Sequence, residues 1–234
     1  MTHKLFKWLA VLLFFFTLVM PKISHGQEVG LSFSYFLPKN GSFSAPISPF
    51  SLRGVGIDLN QFLAVQTGFS LYRMSGLNIK DIDDFESDDP LAGPNFTLLI
   101  PLELALQFVG TKQEFRLKGG GFGFWSFDNR LDNGNIDKAI REFEGWAVAN
   151  SDFDFDNNIG FGYYFGAEYV IYVTRQWGLS LEANYFIGDA SFALSGSYIG
   201  GPLNGPLETR EVSYDDAKLD FTGLEVSIGI LFGN

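Results

Sequence analysis

Residues 159–173 read IGFGYYFGAEYVIYV. Ile159, Phe161, Tyr163, Phe165, Tyr169, Ile171 and Val173 fall on one side of a two-residue repeat, and Gly160, Gly162, Tyr164, Gly166 and Glu168 on the other. A two-residue period is that of an extended strand whose faces meet different surroundings. Here the large apolar side chains share one face while the other is mostly tiny. A water-soluble sandwich would bury the greasy face and cover the other with charge. A closed sheet in lipid inverts this, turning large apolar residues toward acyl chains and small or polar ones into a narrow lumen.

Seven further stretches of about ten residues carry the same alternation. The first places Val29, Leu31, Phe33, Tyr35 and Leu37 opposite Gly30, Ser32 and Ser34, and the second places Val55, Ile57 and Leu59 opposite Gly54, Gly56 and Asp58. The others run over 63–71, 98–108, 115–125, 179–185 and 223–232. Their connections alternate between long (38–51, 75–95, 126–158, 187–219) and short (near Asn60-Gln61, at 110–113, around Arg175). Three tight turns and four long loops suit eight strands that start and end on the periplasmic side. The expected fold is all-β: an eight-stranded antiparallel up-and-down transmembrane β-barrel with long extracellular loops. Aromatics near strand ends (Tyr72, Phe108, Phe115, Trp125, Trp177, Tyr185, Phe232) read as interfacial girdles. A secreted β-sandwich is the competing architecture.

Residues 1–26 read as a signal peptide. Lys4 and Lys7 form a basic start, Trp8 to Met20 an apolar core too short to span a bilayer comfortably, and Ser24-His25-Gly26 a small-x-small cleavage site. The domain organisation is then 1–26 leader and 27–234 barrel, with localisation in the bacterial outer membrane after cleavage near Gly26. Loss of the leader removes three lysines and no acid, leaving 13 cations against 27 acids, a net charge of −14. Such a surface repels nucleic acid. The chain has no cysteine, so it carries no disulfide and no thiolate chemistry.

Within Phe96 to Phe127, an apolar-Pro-Leu strand, Ile100-Pro101-Leu102, precedes a glycine-rich strand, Gly119-Gly120-Gly121. This stretch resembles the middle hairpin of the PorT-like outer-membrane barrel-domain family of Bacteroidota. Pro101 lies mid-strand, where a proline removes one ladder hydrogen bond, so a local bulge is one expectation there. The ending, with Ile228, Ile230 and Phe232 alternating, resembles the C-terminal aromatic signal of outer-membrane barrels, although Gly233-Asn234 follow the last aromatic. Both resemblances imply a location and a fold; roles within such families vary.

His3 and His25 both lie in the predicted leader, so the mature chain is expected to hold neither His nor Cys. Histidine-dependent hydrolase chemistry loses its base, and zinc loses its usual ligands. No enzyme activity, cofactor or metal is expected.

Three constellations stand out. On the inward face, Glu103, Glu168, Glu182 and Glu225 form one expected layer, with Arg116 and Lys118 slightly nearer the turns. Four acids facing two bases in so narrow a space cannot all be ionised cheaply, so paired contacts are expected. The layer is either a cation or proton path or a polar plug that fills the barrel. Acidic loops at 81–89 and 152–157 are either oxygen-ligand cation sites or solvated charge; the second lacks the glycine and terminal acid of an EF-hand, with Asn157 and Tyr163 in those places. Finally, Ile136, Ala139, Ile140, Phe143, Trp146 and Ala147 recur at helical spacing, with Asn135 as the expected cap. Ile136, Ile140, Phe143 and Trp146 form an apolar stripe that either covers the mouth or meets a partner.

Two functions fit. One is a non-enzymatic envelope scaffold or interaction protein, with outer-membrane lipid and another envelope protein as partners. The other is a small channel or cation-conducting pore lined by the inward carboxylates.

Overall fold

The computed structural model describes residues 29–40 and 47–233; the predicted leader lies outside them. The chain is nearly all strand: β1 (Val29–Pro38), β2 (Ile47–Asn60), β3 (Leu63–Met74), β4 (Ile79–Lys80), β5 (Asn95–Val109), β6 (Gln113–Phe127), helix α1 (Asn133–Glu144), β7 (Val148–Asn157), β8 (Gly160–Tyr172), β9 (Trp177–Gly201), β10 (Glu208–Tyr214), β11 (Lys218–Asp220) and β12 (Gly223–Phe232). Eight of these, β1, β2, β3, β5, β6, β8, β9 and β12, pair antiparallel in sequence order, and β12 returns to β1 over ten matched residues from Val29↔Phe232 to Pro38↔Gly223. The sheet therefore closes into an eight-strand ring with no free edge among those strands. Short turns gather at one end, and the long connections at the other.

The pleat separates the faces as the alternation requires. Leu102 (64% exposed), Ile228 (65%) and Phe161 (70%) point outward, while Glu103, Ser227 and Tyr164 on the same strands are buried inside. Glycines make room for this packing. At Gly120 a Cβ would come within 2.0 Å of the Leu102 carbonyl oxygen, so only hydrogen fits. Pro101 does not bulge the sheet. Thr67 stays opposite Leu102 and Ser70 opposite Leu99, so register is kept across it. The Pro101 carbonyl accepts a hydrogen bond of 2.6 Å from Thr67 Oγ1.

Parts of the expected loops are strand. β2 starts at Ile47, within the expected 38–51 loop, and β9 runs unbroken for 25 residues to Gly201, well into the expected 187–219 loop. Beyond the ring, β9 becomes the centre of a three-stranded extension, flanked by β7 and β10. The acid-aromatic run at 152–157 is β7 itself, with Phe153 turned to the extension core and Asp152, Asp154 and Asp156 turned out. Helix α1 packs on β7, where Asp137 Oδ1 accepts from the Ser151 amide and hydroxyl at 2.7 and 2.6 Å. Its cap is Asp132 rather than Asn135: Asp132 Oδ1 accepts from the Asn135 amide at 3.1 Å, and Gly145 ends the helix in a left-handed conformation (φ 67°).

The connector between β11 and β12 folds down into the loop end of the ring. There Phe221 stacks on Phe36 and Phe124, with ring centroids 4.6 and 4.8 Å apart, and packs against Phe122 and Phe186. Phe221 is fully buried. Truncation of such a ring without collapse of its surroundings costs about 3–5 kcal/mol, so Phe221→Ala is expected to lower the denaturant midpoint of unfolding by that amount of stability while leaving the far-ultraviolet β-sheet signal intact.

Candidate functional site: the lumen ion network

All six inward charges read from the sequence are buried in the lumen: Glu103, Arg116, Lys118, Glu168, Glu182 and Glu225. Adjacent strands carry them there in register, Arg116 opposite Glu168 across β6 and β8, and Glu168 opposite Glu182 across β8 and β9. Lys118 Nζ sits among three carboxylates, 3.0 Å from Glu182, 3.4 Å from Glu103 and 3.4 Å from Glu168. Arg116 lies 3.3 Å from Glu168 through Nη1.

The network is larger than those six. Arg116 Nε donates to Glu114 at 2.6 Å, and Glu114 also accepts from the Tyr172 hydroxyl at 2.7 Å. Arg53 holds Glu225 with contacts of 2.8 and 3.0 Å to its two oxygens. Asn184 Nδ2 joins the two halves, donating to Glu182 at 2.8 Å and to Glu225 at 2.9 Å. Tyr72 donates to Glu225 and Tyr164 to Glu103. Among the described residues, five lumen carboxylates therefore face three cations, and hydroxyl and amide donors serve the excess negative charge.

Arg53 escaped the sequence for a definite reason. Between Leu52↔Phe69 and Val55↔Thr67, β2 holds one more residue than β3, with Gly54 at φ 73°. This bulge flips the parity of the strand: inward residues are Ser51 and Arg53 before it, and Gly54 and Gly56 after it. Extrapolating the alternation of Val55, Ile57 and Leu59 backward puts Arg53 outside. Glu114 and Tyr72 carried a usable signal, since each shares the parity of inward neighbours on its own strand. Tyr72 is thus an inside residue, not part of an outer aromatic girdle.

Above this network the lumen turns apolar. Phe36, Phe122, Phe124, Phe186 and Phe221 fill it on the loop side, and Tyr72 and Tyr164 link the rings to the carboxylates. Below it, at the turn end, a cavity of about 500 Å³ opens beside Gln66, Gln107, Glu114 and Arg116.

The other two constellations lie in the extension. Ile136 and Ile140 of the helical stripe are buried in its core, Trp146 lies past the helix end, half-buried beneath the Arg210 guanidinium, and Phe143 is exposed. In the 81–89 loop, Asp81 pairs with Lys218 at 2.9 Å, Asp84 accepts from Tyr214 at 2.8 Å and Asp89 pairs with Lys138 at 2.8 Å. These acids tie the loop to β10, β11 and α1. Burial together with a hydrogen bond to Glu144 pushes the Tyr198 hydroxyl up to about 12.

No family model matches the chain, and no curated protein matches it. Among solved structures it is similar to the outer membrane protein OprG from Pseudomonas aeruginosa, with a TM-score of 0.56 at 12% identity over 89% of this chain and 95% of that one. The fold is therefore that of outer-membrane β-barrel proteins. Weaker likenesses are to Ail of Yersinia pestis (TM-score 0.39, 12% identity, 89% of this chain and 100% of that one) and to a major outer membrane protein of Thermus thermophilus (0.36, 10%, 88% and 98%).

Removing one member of a buried ion pair strands the other, at a cost of about 3–5 kcal/mol, whereas replacing both is much less harmful. Arg53→Met is accordingly expected to destabilise the protein by that amount in denaturant unfolding, and Arg53→Met combined with Glu225→Gln to recover most of the loss.

Proposed function

We propose that this chain is an eight-stranded transmembrane β-barrel of the bacterial outer membrane, non-enzymatic, which acts as an envelope scaffold through the extension on its loop side. The observation that carries the reading is a polarity inversion along β9. In the ring half its outward residues are Leu179, Leu181, Ala183, Tyr185 and Ile187, and its inward residues are Ser180, Glu182 and Asn184, followed by Phe186 among the loop-side rings. Past Asp189 the same parity is kept but the chemistry is exchanged. Ser191, Ser195 and Ser197 now lie outside, with Ile199 as the one large apolar residue among them, and Phe192, Leu194 and Tyr198 are buried.

A rigid pleat cannot change which way its side chains point, so it is the surroundings that change, from acyl chain to water. From Trp177 to Ile187 a tilted strand rises roughly 25 Å, the height of an outer-membrane apolar band. The extension of β7, β10, α1 and the distal half of β9 then stands in water on the outer side.

The scaffold role is favoured over the pore because, above the turn-end cavity, the lumen is filled first by a paired ion network and then by stacked aromatic rings. Such packing gives a permeating ion no path without rearrangement. The absence of histidine after the predicted leader motivates the non-enzymatic reading, and the Ile100-Pro101-Leu102 and triple-glycine hairpin motivates a PorT-like assignment within small outer-membrane barrels.

A charge on the lipid face near the bilayer midplane costs about 2–4 kcal/mol. Leu181→Lys is expected to lose that much stability when the protein is unfolded by denaturant from lipid vesicles, and Ser195→Lys, on the same face beyond the inversion, to lose less than about 0.5 kcal/mol. Equal losses would refute the boundary. For the role itself, cross-linking in intact outer membranes should recover an envelope protein attached within 126–158 or 187–219; recovery of the barrel alone, together with stepwise currents in planar bilayers, would replace the scaffold by the pore.

A further inference from the structure

The chain carries 27 acids and only 16 cations, so a cation on its surface has no shortage of carboxylates to pair with. In the loop half most do pair: Lys80 with Asp189, Lys218 with Asp81, Lys138 with Asp89 and Arg210 with Glu144. Lys39 and Arg73, at the loop-side ends of β1 and β3, are exposed and have no acid partner among the described residues.

Both lie on the outward face. On β3, Tyr72 and Met74 are buried, and Arg73 between them shares the face of Phe69 and Leu71. Lys39 follows β1 in the parity of Phe33, Tyr35 and Leu37, and its amide donates to the Thr222 carbonyl at 2.8 Å, which fixes the head of that strand. The register runs from Tyr35 to Ile47 to Arg73, so Lys39 stands two strands over and four residues on, roughly 15 Å away by strand spacing and rise. Strand tilt offsets that stagger and brings the two cations to nearly one height. Aromatic groups border them: Phe50 and Phe69 pack 5.6 Å apart beneath Arg73, and Phe96, opposite Arg73 on β5, stacks on Phe127 at 5.7 Å. A bare cation is tolerated on a lipid-facing surface only near the interface, where aromatic belts also settle.

We infer that Lys39 and Arg73 form a site for the phosphates of an outer-leaflet glycolipid headgroup, with its acyl chains lying along the outward rings below. The unmatched positive charge calls for an anion. A guanidinium grips phosphate through two parallel N–H···O bonds, and an ammonium attracts it as a point charge. The separation of the two suits a headgroup phosphorylated at two places, and the apolar face directly beneath selects a lipid over a soluble anion. That this rim lies in the outer leaflet rests on the barrel proposed above; the exposure of the two cations on one face rests only on the ring.

The test is native mass spectrometry of the protein in non-ionic detergent, titrated with lipid A carrying two phosphates, with phosphatidylglycerol and with inorganic phosphate. One saturable lipid A adduct is expected, weakened about fivefold by Arg73→Gln or by Lys39→Gln and at least about tenfold by both, because each basic group near an anionic surface contributes about that factor. Lys112→Gln, at the turn end, is expected to bind as the unaltered protein does. Heat-modifiable gel migration verifies that each variant is folded. Equal lipid A affinity in the unaltered protein and the double variant, or no saturable adduct, would overturn the site. Displacement of lipid A by millimolar inorganic phosphate would overturn the lipid as its occupant, and phosphatidylglycerol bound as tightly as lipid A would overturn the two-phosphate headgroup. The barrel reading would survive each of these results, because it is tested separately by the stability difference between Leu181→Lys and Ser195→Lys.

Discussion

Everything in this molecule depends on ring closure between the first and last strands. Ten consecutive residues of β1 meet ten of β12, and the eight ring strands leave no ladder open. In hydrocarbon an unpaired backbone amide or carbonyl has no water to turn to, so a sheet can persist there only as a closed one. Closure also creates an inside too narrow to hold bulk solvent, and the residues that face it must then satisfy one another.

The lumen is organised along its axis by that demand. Charges occupy the turn half, where Lys118 and Arg116 are ringed by carboxylates and Asn184 bridges toward the Arg53–Glu225 pair. Aromatic rings occupy the loop half, where Phe221 arrives from a connector rather than from a ring strand. Tyr72 and Tyr164 belong to both halves, with rings in the aromatic cluster and hydroxyls on Glu225 and Glu103. A break in either half would therefore be felt in the other.

Beyond the ring the same polypeptide builds an extension with the opposite pattern, apolar inside and polar outside. β9 serves both, and the chemistry of its two faces changes near Asp189. The apolar core continues from the lumen rings into the extension, through Leu77, Ile136, Ile140, Phe153, Phe192, Leu194, Tyr198 and Tyr214, and the acidic loop is anchored by Lys138, Lys218 and Tyr214. What looked like loop composition is thus an ordered platform.

Period-two alternation, with large apolar side chains against Gly, Ser and Glu, determined by itself the eight ring strands, their order and the inward direction of Glu103, Arg116, Lys118, Glu168, Glu182 and Glu225. It could do so because a strand's pleat is local and lipid demands a contrast that water-soluble sheets lack. The alternation of Phe192, Leu194 and Tyr198 with serines was equally present in the distal half of β9, but its outward face is polar there, so a search for greasy outward faces passes over it. Only the tertiary structure decided the rest. The bulge at Arg53-Gly54 reverses a strand's parity through one extra residue opposite β3, and the descent of Phe221 into the mouth depends on pairings with β4 and β9 far away in sequence. Both arise from partners that no local period can name.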